Sequence, residues 1–96
     1  MSIKDKATIL DLLNKIVQKN TGISWKMKCL FSDGKGNTLN QITLLRQSDK
    51  RSIGIFTYQV ESGEVQFCNY KDLKKPKSEN IIDLLLDVMN DVKSTA

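Results

Sequence analysis

The sequence predicts an α+β protein, a two-layer sandwich in which a four-stranded antiparallel meander carries the N- and C-terminal helices on one face, in the order α-β-β-β-β-α. Three observations predict it. Apolar residues recur at helical spacing near both ends of the chain. Between those ends the alternation falls to period two, the spacing of a half-buried strand. Turn-forming stretches around Gly34, Asp49 and Gly63 divide that middle part into four.

Ser2 followed by Asp5 makes a capping-box-like start, and Ile9, Leu10, Leu13, Ile16 and Val17 then give one apolar helix face up to Asn20. Thr21-Gly22 ends that helix, because glycine takes the left-handed conformation after a last turn without steric cost. Ile23, Trp25, Met27, Cys29 and Phe31 alternate with Ser24, Lys26, Lys28 and Leu30, a first strand with one side buried. The loop Ser32-Asp33-Gly34-Lys35-Gly36-Asn37 lacks the GK[ST] ending and the following helix of a phosphate loop. It also fails as a calcium loop, since Lys35 and Leu44 occupy positions that need oxygen ligands. Leu39 to Arg46 forms a second strand with Ile42 and Leu44 inward and Gln41, Thr43 and Leu45 outward.

The stretch from Ser52 to Tyr70 reads as a hairpin of β-branched and aromatic residues around Ser62-Gly63. A two-residue turn there pairs Val60 with Val65, Tyr58 with Phe67 and Phe56 with Asn69 on the buried side. The other side then carries Gln59 with Gln66, Thr57 with Cys68, and Ile55 with Tyr70. After Tyr70 comes a basic linker, Lys71, Lys74, Lys75 and Lys77 around the single proline, Pro76, which excludes regular helix or central strand. Ser78 serves as N-cap of a second helix, with Glu79 in its first turn and Ile81, Ile82, Leu85, Val88, Met89 and Val92 on a wide apolar face.

Four strands about 4.8 Å apart make a sheet roughly 19 Å wide, and two helices of about 8–10 Å each cover that width once. One face is therefore expected to stay uncovered. The predicted register puts on it Lys26, Lys28, Leu30, Gln41, Thr43, Leu45, Ile53, Ile55, Thr57, Gln59, Gln66, Cys68 and Tyr70.

Ninety-six residues make one domain, 1–96, with 40% hydrophobic and 27% charged residues, an ordinary globular composition. No apolar run reaches the roughly 20 residues of a membrane span and the N-terminus opens on charged residues, so a cytoplasmic protein is the expectation. Cys29 and Cys68 have no CxxC spacing and the chain has no histidine, which argues against zinc, and both thiols are expected reduced on opposite sheet faces. The net charge of +4 is uneven: residues 1–48 hold eight Lys or Arg against three acids, residues 49–96 seven against eight. Glu79, Asp83, Asp87 and Asp91 repeat every fourth residue as an acidic line, most simply a solvated helix face, with Lys15 and Lys19 as balancing charges if the helices are neighbours.

No paired nucleophile and base, cofactor fingerprint or metal spacing stands out, so the expectation is a non-enzymatic binding module without cofactor or metal. Nucleic acid, as RNA or single strands, is the first partner to consider, with Lys26, Lys28, Lys50, Arg51, Tyr70, Lys71, Lys74, Lys75 and Lys77 as its contacts. The order helix, strands, helix resembles that of the RNA-binding Alu-domain subunits of the signal recognition particle, whose chains run helix, three strands, helix. That resemblance is one of topology; the extra strand and the linker depart from it, and it implies RNA binding without carrying over any residue. The double-stranded-RNA-binding domain has a related order, but its helix-start motif of glycine, serine and paired lysines is absent before Ile81. The alternative is a protein-interaction module, a homodimeric adaptor, chaperone or inhibitor of the kind phages and plasmids encode. It would use the acidic helix line or an interface of Leu30, Leu45, Ile53 and Ile55 on the open sheet face, the latter as a sheet-to-sheet homodimer.

Overall fold

Both helices bury their apolar stripes against the same side of one sheet. The computed structural model describes residues 4–70 and 80–92. Along them run α1 (Lys4–Lys19), β1 (Ile23–Ser32), β2 (Thr38–Arg46), β3 (Ser52–Gln59), β4 (Val65–Tyr70) and α2 (Ile81–Asp91). The strands lie in the order β1-β2-β3-β4, each antiparallel to the next, which is the meander the sequence predicts.

Ile9, Leu12, Leu13 and Ile16 of α1 and Ile81, Leu84, Leu85 and Val88 of α2 close over Ile42, Leu44, Phe56 and Tyr58 as one core. Leu12 and Leu84 are buried where the sequence reading favoured Leu10, Val17, Ile82 and Met89, which are half-buried. The reason is that each helix packs on the other as well as on the sheet, so its buried stripe turns toward its neighbour. Trp25 Nε1 donates to Asn14 Oδ1 at 3.3 Å and ties α1 to β1. Lys19 Nζ donates to the Met89 carbonyl at 2.7 Å, in the last turn of α2, where carbonyls lack helical partners and a cation is favoured. Lys15 pairs within its own helix, with Asp11 at 3.1 Å.

The cap of α2 is Asn80, whose Oδ1 accepts from Ile82 N at 2.9 Å. The expected cap Ser78, its neighbour Glu79 and the capping-box Ser2 lie outside the described residues. Asn80 also bridges to Glu64, and Ile81 N donates to the Gly63 carbonyl at 2.8 Å. The start of α2 is thereby docked on the β3–β4 loop.

That loop and the β2–β3 loop share one construction. Gly63 N donates to Gln59 O at 2.7 Å and Gln59 N to Glu64 O at 2.8 Å; Lys50 N donates to Arg46 O at 2.7 Å and Arg46 N to Arg51 O at 2.8 Å. In each the fourth loop residue is left-handed, Gly63 at φ 76° and Lys50 at φ 61°. A lysine there carries a Cβ penalty that glycine escapes. Lys50→Gly is expected to raise stability by about 0.5–1 kcal/mol in chemical denaturation; an unchanged or lowered value would mean that the Lys50 side chain supports the loop.

The loop carboxylates are hydrogen-bonded in a way that opposes their protonation. Asp49 is held below the usual carboxylate range by Arg46, which it binds at 3.0 and 2.7 Å, and by the Arg51 N–H. Asp33 is lowered by the Asn37 side chain and the Lys35 N–H, and Glu61 by the Thr38 N–H at 2.8 Å. A folded pKa below the unfolded one gives stability that is fully present above the unfolded value, about 4, and is lost as pH falls through the folded value. Calorimetric Tm is therefore expected to hold from pH 7 to 5 as far as these groups are concerned and to drop below about pH 4, and Asp49→Asn should flatten that acid limb.

Three bulges set which side chain faces which way. Leu30 is extra between Cys29↔Asn40 and Phe31↔Leu39, Ile53 between Leu44↔Gly54 and Leu45↔Ser52, and Gln66 between Tyr58↔Val65 and Thr57↔Phe67. The hairpin register differs from the predicted one. The loop holds four residues, 60–63, instead of two, but two added residues leave the parity of the strand unchanged. The bulge at Gln66 changes it, turning Phe67 and Asn69 outward and bringing Cys68 and Tyr70 to the helix side.

Tyr70, expected on the open face, is 6% exposed and belongs to the core. It pairs with Gly54, and its ring lies 6.1 Å from that of Phe56. Ile53, also expected on the open face, is half-buried and packs against the core because the bulge displaces it from the alternation. Cys68 packs there too, and burial pushes its thiol pKa up, whereas Cys29, expected as a core residue, is exposed; both are free.

Candidate functional site

Side chains of directly paired residues share a face, so the register lays out the uncovered side of the sheet row by row. One row is Lys26, Thr43, Ile55, Asn69, and the next is Lys28, Gln41, Thr57, Phe67. Beyond Lys28, toward the β1–β2 loop, stand Phe31, Leu39 and Gln59; on the other side of Lys26 stand Ser24 and Leu45. Thr43 and Thr57 are buried although they face away from the helices, because larger neighbours on the flanking strands shade them. The face is thus a shallow trough with threonines on its floor, Lys26 and Lys28 along β1, and Phe67 at the β4 edge.

Phe31 is 53% exposed and Phe67 51%, the largest exposures among the described big apolar residues, followed by Leu30 at 45%. Tyr70 was the aromatic expected on this face; Phe67 takes its place, and Phe31 joins it through the Leu30 bulge. Neither bulge is encoded by a glycine or proline, so residue alternation alone had no means of locating them. The excess of apolar residues on both sides of β4, Val65 and Phe67 against Cys68 and Tyr70, was the available warning that its facing was undetermined.

Charge is segregated across the molecule. None of the four strands contains an Asp or Glu, and their cations are Lys26, Lys28 and Arg46. Asp83, Asp87 and Asp91 lie on α2, in the layer on the other side. Asp33, Asp49, Glu61 and Glu64 lie in loops. Lys26 and Lys28 are exposed on the face as expected. Lys50 and Arg51 are exposed but belong to the β2–β3 loop at the end of the sheet, with Lys50 Nζ on Gln47 Oε1 at 3.2 Å and Arg51 Nε 3.7 Å from Asp49. Lys71, Lys74, Lys75 and Lys77 lie outside the described residues. Of the expected protein-contact set, Leu45 and Ile55 are half-buried on the open side and Leu30 is exposed at its bulge, while Ile53 is turned away.

No family model, curated protein or solved structure matches this chain.

On the helix side a crevice of about 550 Å³ is lined by Asn20, Ile23, Arg46, Ile53, Tyr70 and Val92, among others. Among the described residues no cluster of His, Cys, Asp or Glu is gathered to hold a metal ion, and no helix is long and apolar enough to cross a membrane. The Asp33 carboxylate is engaged inside its own loop, accepting from Lys35 N at 2.7 Å and Asn37 Nδ2 at 2.7 Å.

Proposed function

We infer that the protein binds single-stranded nucleic acid, RNA or DNA, on its uncovered sheet face. The observation that carries this reading is the joint placement of Lys26 and Lys28 with the exposed ring of Phe67 on a face whose strands contain no acid. Lysines draw phosphates and an exposed ring offers a stacking surface to any base. A duplex has its base faces already stacked, so the rings favour unpaired strands. Gln41 and Asn69 add amides on the same face, groups that donate to and accept from base edges, whereas the Gln59 amide is engaged by Asn37 and Ser62.

The test is a salt titration with unstructured RNA and DNA strands and a duplex control. Binding of the single strands is expected at low salt, weakening linearly in log–log form as counterion release is suppressed, with a slope of about −0.7 for each phosphate neutralised. Absence of single-strand binding at low salt would overturn the reading. A second reading, a protein-docking face, draws on the exposed Leu30 and Phe31 beside Leu39. It includes a sheet-to-sheet homodimer and predicts a stable dimer in sedimentation equilibrium, weakened by Leu30→Ala and Phe31→Ala together.

A further inference from the structure

Resting on the single-strand reading, we propose that Phe31 and Phe67 are two separate stacking platforms, so that the site is filled only by a strand long enough to reach both. The rings belong to the two edge strands, β1 and β4, and to adjacent rows of the same face: Phe67 continues the row of Thr57, and Phe31 pairs with Leu39 in the row beyond it. Three inter-strand steps of about 4.8 Å and one row step of about 6.8 Å put them roughly 16 Å apart on the diagonal. Among the described residues the ring pair in contact is Phe56 with Tyr70, in the core, so the faces of Phe31 and Phe67 are not taken by other rings.

The ground between the platforms suits a connecting strand. Thr57 is low, Gln41 is half-buried, and Lys28 stands beside them on β1. A mononucleotide or dinucleotide occupies one ring. At the compact stacked rise of about 3.4 Å per nucleotide, roughly five steps cover the diagonal, and fewer suffice when the strand is drawn out. Bases at the two ends of that span lie on the rings while those between meet Gln41 and Thr57. The chain direction is diagonal, from the β4 edge toward the β1–β2 loop.

The experiment is a length series of oligothymidylates from two to ten nucleotides, measured by fluorescence anisotropy competition at low salt. Wild-type affinity is expected to step up between about three and six nucleotides. Phe31→Ala and Phe67→Ala each remove the step, lowering affinity for the eight-nucleotide strand roughly 5- to 150-fold while leaving the dinucleotide affected by only one of them or weakly by both. Leu30→Ala, the change of an exposed neighbour without a ring, leaves the step in place. Circular dichroism melts of the variants show whether the fold is retained, as the exposure of both rings predicts. A smooth length dependence in wild type, or a step that survives Phe31→Ala, overturns the two-platform assignment while leaving the single-strand reading standing. Failure of every strand to bind wild type at low salt overturns both.

Discussion

Gly54→Ala is expected to destabilise the protein by about 2–3 kcal/mol, a fall in Tm of roughly 10–20 °C. A Cβ on Gly54 would lie 2.5 Å from Tyr70 Cδ1 and 3.4 Å from Phe56 Cζ. The Tyr70 ring it meets must shift from its packed position beside Phe56, where it is 6% exposed, toward the crevice it lines with Ile53 and Val92. Glycine is in the strand because the aromatic across from it covers the vacant position, the arrangement in which a ring shields an otherwise weak strand residue. Tyr70→Ala alone is expected to cost about 3–5 kcal/mol through the cavity it leaves. Combined with Gly54→Ala it removes the clash, so the double variant should be less destabilised than the sum by roughly 0.5–3 kcal/mol. Strict additivity would mean that Tyr70 does not sit over Gly54. That result would undo the bulge at Gln66 and, with it, the outward facing of Phe67. The converse variant, Phe67→Ala, is expected to change stability by less than about 1 kcal/mol because half of its surface is already in water.

The contrast between Tyr70 and Phe67 marks where the sequence ceases to determine the structure. Element order, the meander and the helix-covered side follow from periodicities that no other arrangement satisfies as simply, and Ile42, Leu44, Phe56 and Tyr58 all face the core as their alternation requires. β4 is different. Val-Gln-Phe-Cys-Asn-Tyr offers an apolar residue to either face in either parity, so burial of the helix side can be met in two ways. What decides is packing against Gly54, a long-range partner eleven residues before Val65 and sixteen before Tyr70. The start of α2 shows the same limit, since Ser78 and Asn80 are both good caps and only docking on Gly63 selects the second. In the candidate site, Lys26 and Lys28 were legible because β1 alternates cleanly as far as Cys29; Phe31 was not, because the Leu30 bulge reverses the strand just before it.

Lys26→Gln with Lys28→Gln is expected to give a large, salt-dependent loss of strand binding. Both ammonium groups stand on exposed positions two residues apart on β1, about 6.8 Å along the strand, and each can neutralise one phosphate. At about 0.7 per phosphate, removing both lowers the magnitude of the log–log salt slope by about 1.4. Referred to 1 M salt, where counterion release no longer contributes, that change in slope amounts to a loss of roughly 60-fold at 50 mM and roughly 15-fold at 150 mM. The neutral amides keep most of the side-chain bulk, so stability is expected to stay within about 0.5 kcal/mol. The same pair of changes at Lys50 and Arg51 provides the comparison. Those residues sit at the end of the sheet, where Asp49 already offsets Arg46 and Arg51, and their loss is expected to change the slope by less than half as much. Equal losses from the two pairs would move the phosphate path off the trough and onto the β2–β3 loop, and a slope unaffected by Lys26 and Lys28 would remove the face from the site altogether.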